Sequence, residues 1–372
     1  LRFHVRTVGE VVEKFAALGP DEYPEVDIIT PEPISRGDGF RIRTRLTYRR
    51  TGTGFELGLV SPATEQLVDM ATCPALTTPV RRLVSTVAAC FEELGELPPG
   101  TETADAEPTS PPALQTVNLV SPVYGRGMID LRVAGGLDDE QLGSAVVRSP
   151  YAALLEELVD ATADQVGVSV ASGETRHQVE PPERMRLPIA GLRLEVGFDD
   201  WMPATLEPTN AVYSSMLDLL ELSSDEGFLD VGCGIGTISL LAAQHARVVV
   251  GVDGNRRSID TAERNSVDLE ADNVEFHVGG WETALRKLTL DGRAFDAATI
   301  NPMREPLGRR PLTYLGELGI ERIVYLGPSP EAAAKDVGEL VDMGWELDYL
   351  AAANIHPATY HTMLVARLRR QA

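Results

Sequence analysis

Apolar residues recur at helical spacing over residues 3–18 (Val5, Val8, Val11, Val12, Phe15), and the period then changes. "FRIRTRLTYRRTGTGFELGLV" alternates in period two across a Gly-containing turn, the pattern of a β-hairpin with Arg41, Arg43 and Arg45 on one face of its first strand. "PVRRLVSTVAACFEEL" returns to helical spacing, and "PPGTETADAEPTSPP" reads as a linker or exposed loop. Two more strand-like runs follow over 114–134, then a helix near 150–166. From about residue 190 short apolar runs alternate with longer helical segments: "GFLDVG", "VVVGVD", "VEFHV", "FDAATI", "IERIVYLG", "WELDYLAAA" and "HTMLVARL". Helices separate the first six runs and the last two are adjacent. That order predicts a doubly wound, mostly parallel seven-stranded sheet of Rossmann-like type with an antiparallel strand at the end. The expected organisation is a smaller α+β domain with β-hairpins (1–185) in front of an α/β domain (186–372).

Composition narrows the class. The 372 residues are 43% hydrophobic, enough for a large core, and contain no apolar run of membrane-spanning length and no signal-peptide pattern, so a cytoplasmic location is expected. Three cysteines cannot build a disulfide framework. A formal net charge of −23 would repel a polyanion in dilute salt. Lysine occurs only at Lys14, Lys287 and Lys335, against 56 Asp and Glu. This balance is that of a halophilic protein, and molar salt shortens the Debye length to roughly 3 Å. The acidity therefore reads as solvation and does not exclude RNA. The chain opens at Leu1 inside a helical pattern with no cap, which reads as a segment preceded by further residues.

The most specific chemistry lies in "FLDVGCGIGTISLLAA", where a strand meets a helix through Gly232, Gly234 and Gly236. Glycines at such a turn let backbone approach a ligand. The dinucleotide fingerprint wants its third glycine where Thr237 stands, and Asp230 just before the loop suits an ammonium group better than a pyrophosphate. The next strand ends in "GVDGN", placing Asp253 where a carboxylate can accept from both hydroxyls of a ribose. Together these favour S-adenosylmethionine as cofactor, with Trp281 or backbone near it available to an adenine. This half resembles the class I S-adenosylmethionine-dependent methyltransferases.

The order "NPMR", "VYLGPSPEAAAKD", "HPATYHTMLVARL" resembles the RNA uracil-C5 methyltransferases, whose stretches read approximately D-P-P-R, V-Y-x-S-C-N-P-x-x-x-x-x-D and P-H-T-x-H-x-E-x-V. The segments "ISRGDGFRIRTRLTYRR" and "ELGLVSPATEQLVDMATCP" are similar to those preceding that family's catalytic domain. The resemblance implies an S-adenosylmethionine-dependent methyltransferase acting on RNA (tRNA or rRNA), with Asn210 retained near the cofactor where a family glutamine is replaced by Pro208. It also implies departures. The family adds a cysteine thiolate to carbon 6 of uracil, transfers the methyl group and removes the C5 proton with a carboxylate. Here Pro328 stands at the cysteine position, Asn301 at the Asp of D-P-P-R, and His361 at or near the carboxylate. Asn301, Arg304 and His361 are accordingly the residues expected to face the base, without the usual cysteine mechanism. Asn301, an amide, could hold a base for direct transfer. The alternative is a catalytically inactive RNA- or ribosome-binding homologue that keeps the cofactor fold; a small-molecule methyltransferase is a third reading, which the Arg41–Arg50 strip disfavours. Cys73 matches a "CP" found in family members with an iron-sulfur cluster, so it is a possible cluster ligand if three further cysteines precede residue 1.

Overall fold

The computed structural model describes residues 9, 11–17, 19–29, 39–61, 63–100, 111–122, 126–148, 150–162, 165–182, 184–302, 305–355 and 362–371. A helical stretch over 11–17 precedes strand β1 (Val26–Ile29). Next come β2 (Arg43–Thr51), β3 (Gly54–Val60), β4 (Leu67–Val68), helix α1 (Thr78–Glu93), β5 (Leu114–Val120), β6 (Gly127–Val133), α2 (Asp139–Val146), α3 (Tyr151–Thr162), β7 (Val166–Ser172) and β8 (Thr175–Glu180). A hairpin of β9 (Arg184–Ile189) and β10 (Leu192–Gly197) leads into α4 (Leu206–Leu220), β11 (Gly227–Val231), α5 (Thr237–Ala242), β12 (Val248–Asp253), α6 (Arg256–Asp268), β13 (Val274–Val278) and α7 (Trp281–Leu290). The chain ends with β14 (Ala297–Ile300), α8 (Arg309–Glu317), β15 (Arg322–Gly327), α9 (Pro330–Asp342), β16 (Trp345–Ala353) and β17 (Met363–Arg370).

Two compact units result, residues 35–187 and residues 1–34 with 188–372. The sequence reading put the boundary at 185/186 and the whole N-terminal stretch in one domain. The structure instead returns the opening segment to the C-terminal unit, for a packing reason. β1 pairs in parallel with β16 (Val26↔Leu350, Ile29↔Ala353), and Val11 and Phe15, 0% and 1% exposed, enter the C-terminal core. The sheet consequently has eight strands, one more than expected, in the order β1-β16-β17-β15-β14-β11-β12-β13. β17 runs antiparallel between β15 and β16, and β11 to β15 are parallel. Its central strands are buried on both faces, as in a covered parallel sheet: Gly227–Val231 is buried at every residue.

In the other unit seven strands in the order β4-β3-β2-β5-β6-β7-β8 are antiparallel except for β6 and β7. Helices α2 and α3 lie in the sequence between those two parallel strands, which need a crossover. Leu46, Val117, Leu119, Ile129, Leu131, Val168 and Val170 pack in one core with Val84, Val87 and Phe91 of α1 and Leu154 and Leu158 of α3. The alternate residues form a polar row in register across four strands: Arg45, Asn118, Asp130 and Ser169. Asp130 is fully buried there and holds Arg132, Arg176, Asn118 and Ser169.

Candidate cofactor and substrate site

Because β11, β12, β14 and β15 are parallel, the segments after their carboxyl ends gather at one edge of the sheet. Strand order reverses between β11 and β14, and such a switch point is where open α/β sheets bind ligands. The three loop glycines have different jobs. A Cβ on Gly232 (φ +83°) would stand 2.3 Å from the carbonyl oxygen of Asn301, and one on Gly236 would stand 2.9 Å from the ring of Phe276. Protein packing alone demands those two. At Gly234 (φ +54°) a Cβ would meet nothing within 4 Å, so this middle glycine leaves an open cradle at the loop's centre. S-adenosylmethionine fits this feature, which gives backbone access without a side chain in the way.

Asp230, expected to accept from a ligand's ammonium group, is fully buried. Ser239 donates to its Oδ2 (2.7 Å) and Thr299 to its Oδ1 (2.8 Å), so it ties α5 and β14 to β11. Direct contact with a ligand needs an open face that this carboxyl lacks, and its role is to organise the loop from beneath. Burial pushes its pKa up to about 6 from 3.8, with Asp253 nearby adding to the effect and the two hydroxyls opposing it. A carboxyl raised in this way keeps its proton in the folded state while the unfolded chain releases it. Stability therefore falls as pH rises from about 4 to 6 and is flat above. The whole term is about 3 kcal/mol, of which about 1.4 kcal/mol lies between about pH 5 and pH 7.5. Asp230→Asn abolishes the titration, so denaturant unfolding should find the variant gaining roughly that amount on wild type over the same interval; a pH-independent difference would overturn the assignment.

Asp253 is half-buried. Its Oδ2 accepts from Gly234 N (2.9 Å) and its Oδ1 from Asn255 N (2.8 Å), so it holds the cradle's own backbone and starts α6, with further lone pairs for a ribose diol. Asn210 on α4 accepts from Ala190 N (2.8 Å) at the β9–β10 turn, where it pins the hairpin. The sequence reading missed that hairpin and missed Asn265. Asn265, 1% exposed, accepts from Glu195 N (2.7 Å) and donates to Glu195 O (3.1 Å) and Ile235 O (3.2 Å), joining β10 to the glycine loop. Trp281 opens α7 and packs partly against the core.

On the substrate side, Asn301 N donates to Val231 O (2.8 Å), fixing Asn301 beside the glycine loop, while its side-chain amide makes no hydrogen bond among the described residues. Arg304 and His361 lie outside the described residues. Pro328 sits in the turn between β15 and α9, and Ser329 caps that helix. Neither remaining thiol near a core offers a nucleophile. Burial pushes Cys90 up to about 11 and Cys233 well above its ordinary range. Cys73 is half-buried, and among the described residues no group of three or more His, Cys, Asp or Glu gathers to hold a metal ion. In the other unit, burial and the flanking Arg41 and Arg45 push Arg43 down to about 10, and Arg43 has no acidic partner among the described residues. Arg45 donates to Asn118 (2.9 Å). No helix among the described residues is long and apolar enough to cross a membrane.

A glycine-loop strand, a carboxylate ending the next strand and an antiparallel last strand in this order define the class I S-adenosylmethionine-dependent methyltransferase fold. Residues 222–321 match the family described as "Methyltransferase domain". Within that class the chain resembles the uracil-C5 RNA methyltransferases. It is 23% identical over 365 residues to the 23S rRNA (uracil(1939)-C(5))-methyltransferase RlmD of Pseudomonas aeruginosa, covering 97% of this chain and 73% of that protein. It is 31% identical over 153 residues to an uncharacterized RNA methyltransferase of Clostridium tetani, covering 41% of this chain but only 33% of that relative. The crystal structure of the Pyrococcus abyssi tRNA (uracil-54, C5)-methyltransferase, solved in complex with S-adenosyl-L-homocysteine, matches with a TM-score of 0.71 at 20% identity, over 98% of this chain and 83% of that one, which establishes the fold.

Proposed function

We propose that this chain is an S-adenosylmethionine-dependent methyltransferase acting on tRNA or rRNA in the cytoplasm of a salt-adapted cell, by a route that uses no cysteine. The observation that carries the reading is the placement of Asn301: its backbone is locked to the glycine loop while its amide has no partner among the described residues. When bound, the cofactor supplies the methyl group. The glycine loop and Asp253 would hold it, with Asp230, Asn210 and Asn265 keeping those elements in place. The Asn301 amide both donates and accepts, so it can grip the edge of a base at the end of β14, and the family resemblance assigns Arg304 and His361 to the same base. Arg43, a cation without an acidic partner among the described residues of a strongly acidic chain, supports a phosphate contact. Cys73 would ligate an iron-sulfur cluster only with cysteines upstream.

The second reading, an RNA- or ribosome-binding homologue without turnover, is favoured by Pro328, which has no nucleophilic atom at the turn where the family carries its thiolate. Nucleoside mass spectrometry of total tRNA and rRNA from a strain lacking the gene, beside its parent, separates the two. The expected result is loss of one methylated nucleoside other than 5-methyluridine. Loss of 5-methyluridine would assign the usual product and refute the cysteine-free route, and unchanged methylation in both pools would favour the binding reading.

A further inference from the structure

Asp336 lies in the second turn of α9, six residues past the start of the helix that follows the Pro328 turn, and is 0% exposed. Its carboxyl group accepts three hydrogen bonds. Leu307 N (2.8 Å) and the hydroxyl of Tyr325 (2.7 Å) donate to Oδ2, and Gly308 N (3.0 Å) donates to Oδ1. Two adjacent peptide groups at the end of the segment that starts with Asn301 are thus caught by one bidentate acceptor. The start of that segment is fixed independently, by Asn301 N on Val231 O. Tyr325 stands opposite Ile300 in the register of β14 and β15, and its hydroxyl meets Asp336. Gly327 closes the assembly: a Cβ there would lie 2.6 Å from Ala333 and 3.1 Å from the ring of Tyr325, so the turn, the tyrosine and α9 pack as one piece.

We infer that Asp336, together with Tyr325, is the positioning pair that holds Leu307 and Gly308 and so presents Asn301 to the substrate base. The inference rests on the methyltransferase reading above. A cap for α8 does not account for it, because a cap side chain accepts from N–H groups of the helix's first turn, whereas Leu307 N and Gly308 N lie before that turn, at and ahead of the N-cap position. The chain places glycine at position 308 and brings the acceptor from α9. The arrangement makes the placement of Leu307 and Gly308 depend on the turn that carries Pro328. It is also sensitive to protonation, since a protonated carboxyl gives up acceptor capacity. Burial raises the pKa of Asp336, and Glu339 raises it further, while its three donors oppose them. The other charged groups near it are Lys335 and Asp342 on its own helix, Asp21 across the adjoining cavity, and Arg309 of α8, which pairs with Glu339 at 2.6 Å.

The test uses the full chain with Asp336→Asn and Tyr325→Phe, measuring methyl transfer to RNA, S-adenosylhomocysteine affinity by calorimetry, and amide exchange at Leu307 and Gly308. Asp336→Asn is expected to lower kcat on the order of 100-fold, with cofactor affinity within about twofold of wild type and protection lost at the amide that faces the new NH2 group, since the side chain keeps only one acceptor oxygen. Tyr325→Phe removes one donor to the carboxylate and should move the acid limb of the pH–kcat profile upward, which a merely structural contact would not do. Wild-type kcat in Asp336→Asn, an equal loss of turnover and cofactor affinity, or an unmoved acid limb in Tyr325→Phe overturns the inference. If the wild-type protein itself transfers no methyl group, the methyltransferase reading has failed, and amide exchange still decides the clamp: unchanged protection in Asp336→Asn removes it, and lost protection retains it.

Discussion

Gly234→Ala will fold like the wild type and bind S-adenosylhomocysteine at least tenfold more weakly, whereas Gly232→Ala will lose both cofactor binding and stability. The contrast follows from what surrounds each glycine. At Gly234 a methyl group meets nothing within 4 Å, so the fold bears only the left-handed backbone conformation (φ +54°), a cost of about 1 kcal/mol. At Gly232 the same methyl would lie 2.3 Å from a backbone oxygen of Asn301, with φ +83° in addition. Neither backbone can yield without breaking the Asn301–Val231 hydrogen bond, and about 3 kcal/mol or more of stability should go with it. Thermal melts and calorimetry on the two variants read this directly. If Gly234→Ala binds as tightly as the wild type, the open side of that glycine is not where the cofactor lies.

The sequence made the cofactor edge legible because its signals are local. Three glycines, the carboxylate before them and the carboxylate ending the next strand fall within 24 residues, Asp230 to Asp253, and each residue type has one dominant reason to be there. Strand order from β11 to β17 was legible for the same reason, since apolar runs and helical segments alternate without interruption. Failures came where the partner is remote in sequence. β1 has four residues, and it becomes a strand by pairing with β16, more than 300 residues away. Asp230 reads identically as a ligand contact and as a buried strut, and only its enclosure by Ser239 and Thr299 separates the two. Asn265 sits mid-helix with no local pattern to mark it, and Asp336, although it closes the stretch "VYLGPSPEAAAKD", carries no sign there of the backbone it holds. Both do their work by hydrogen bonds to backbone 28 or more residues away. Buried polar residues that tie loops together are thus the part of a site that periodicity does not expose.

The Asn301 variants carry the other large effect, and they bear on the chemistry where the glycine variants bear on binding. The direct anchors of Asn301 are main chain: its N–H on Val231 and its carbonyl against Gly232. Removing the amide in Asn301→Ala therefore leaves the anchoring intact, and stability should change by no more than about 0.5 kcal/mol. Cofactor and RNA affinities should stay within about twofold, while turnover falls on the order of 100-fold to 1000-fold, the loss that follows removal of one oriented polar group from a reacting centre. Asn301→Asp divides the amide's two capacities. An aspartate keeps the acceptor and loses the donor, so turnover retained in Asn301→Asp means that the base donates to position 301, as an exocyclic amine or ring N–H would. Turnover lost in both variants means that position 301 donates to the base. Full activity in Asn301→Ala would remove the amide from the reaction altogether and shift the chemistry to other groups at the carboxyl edge of the sheet.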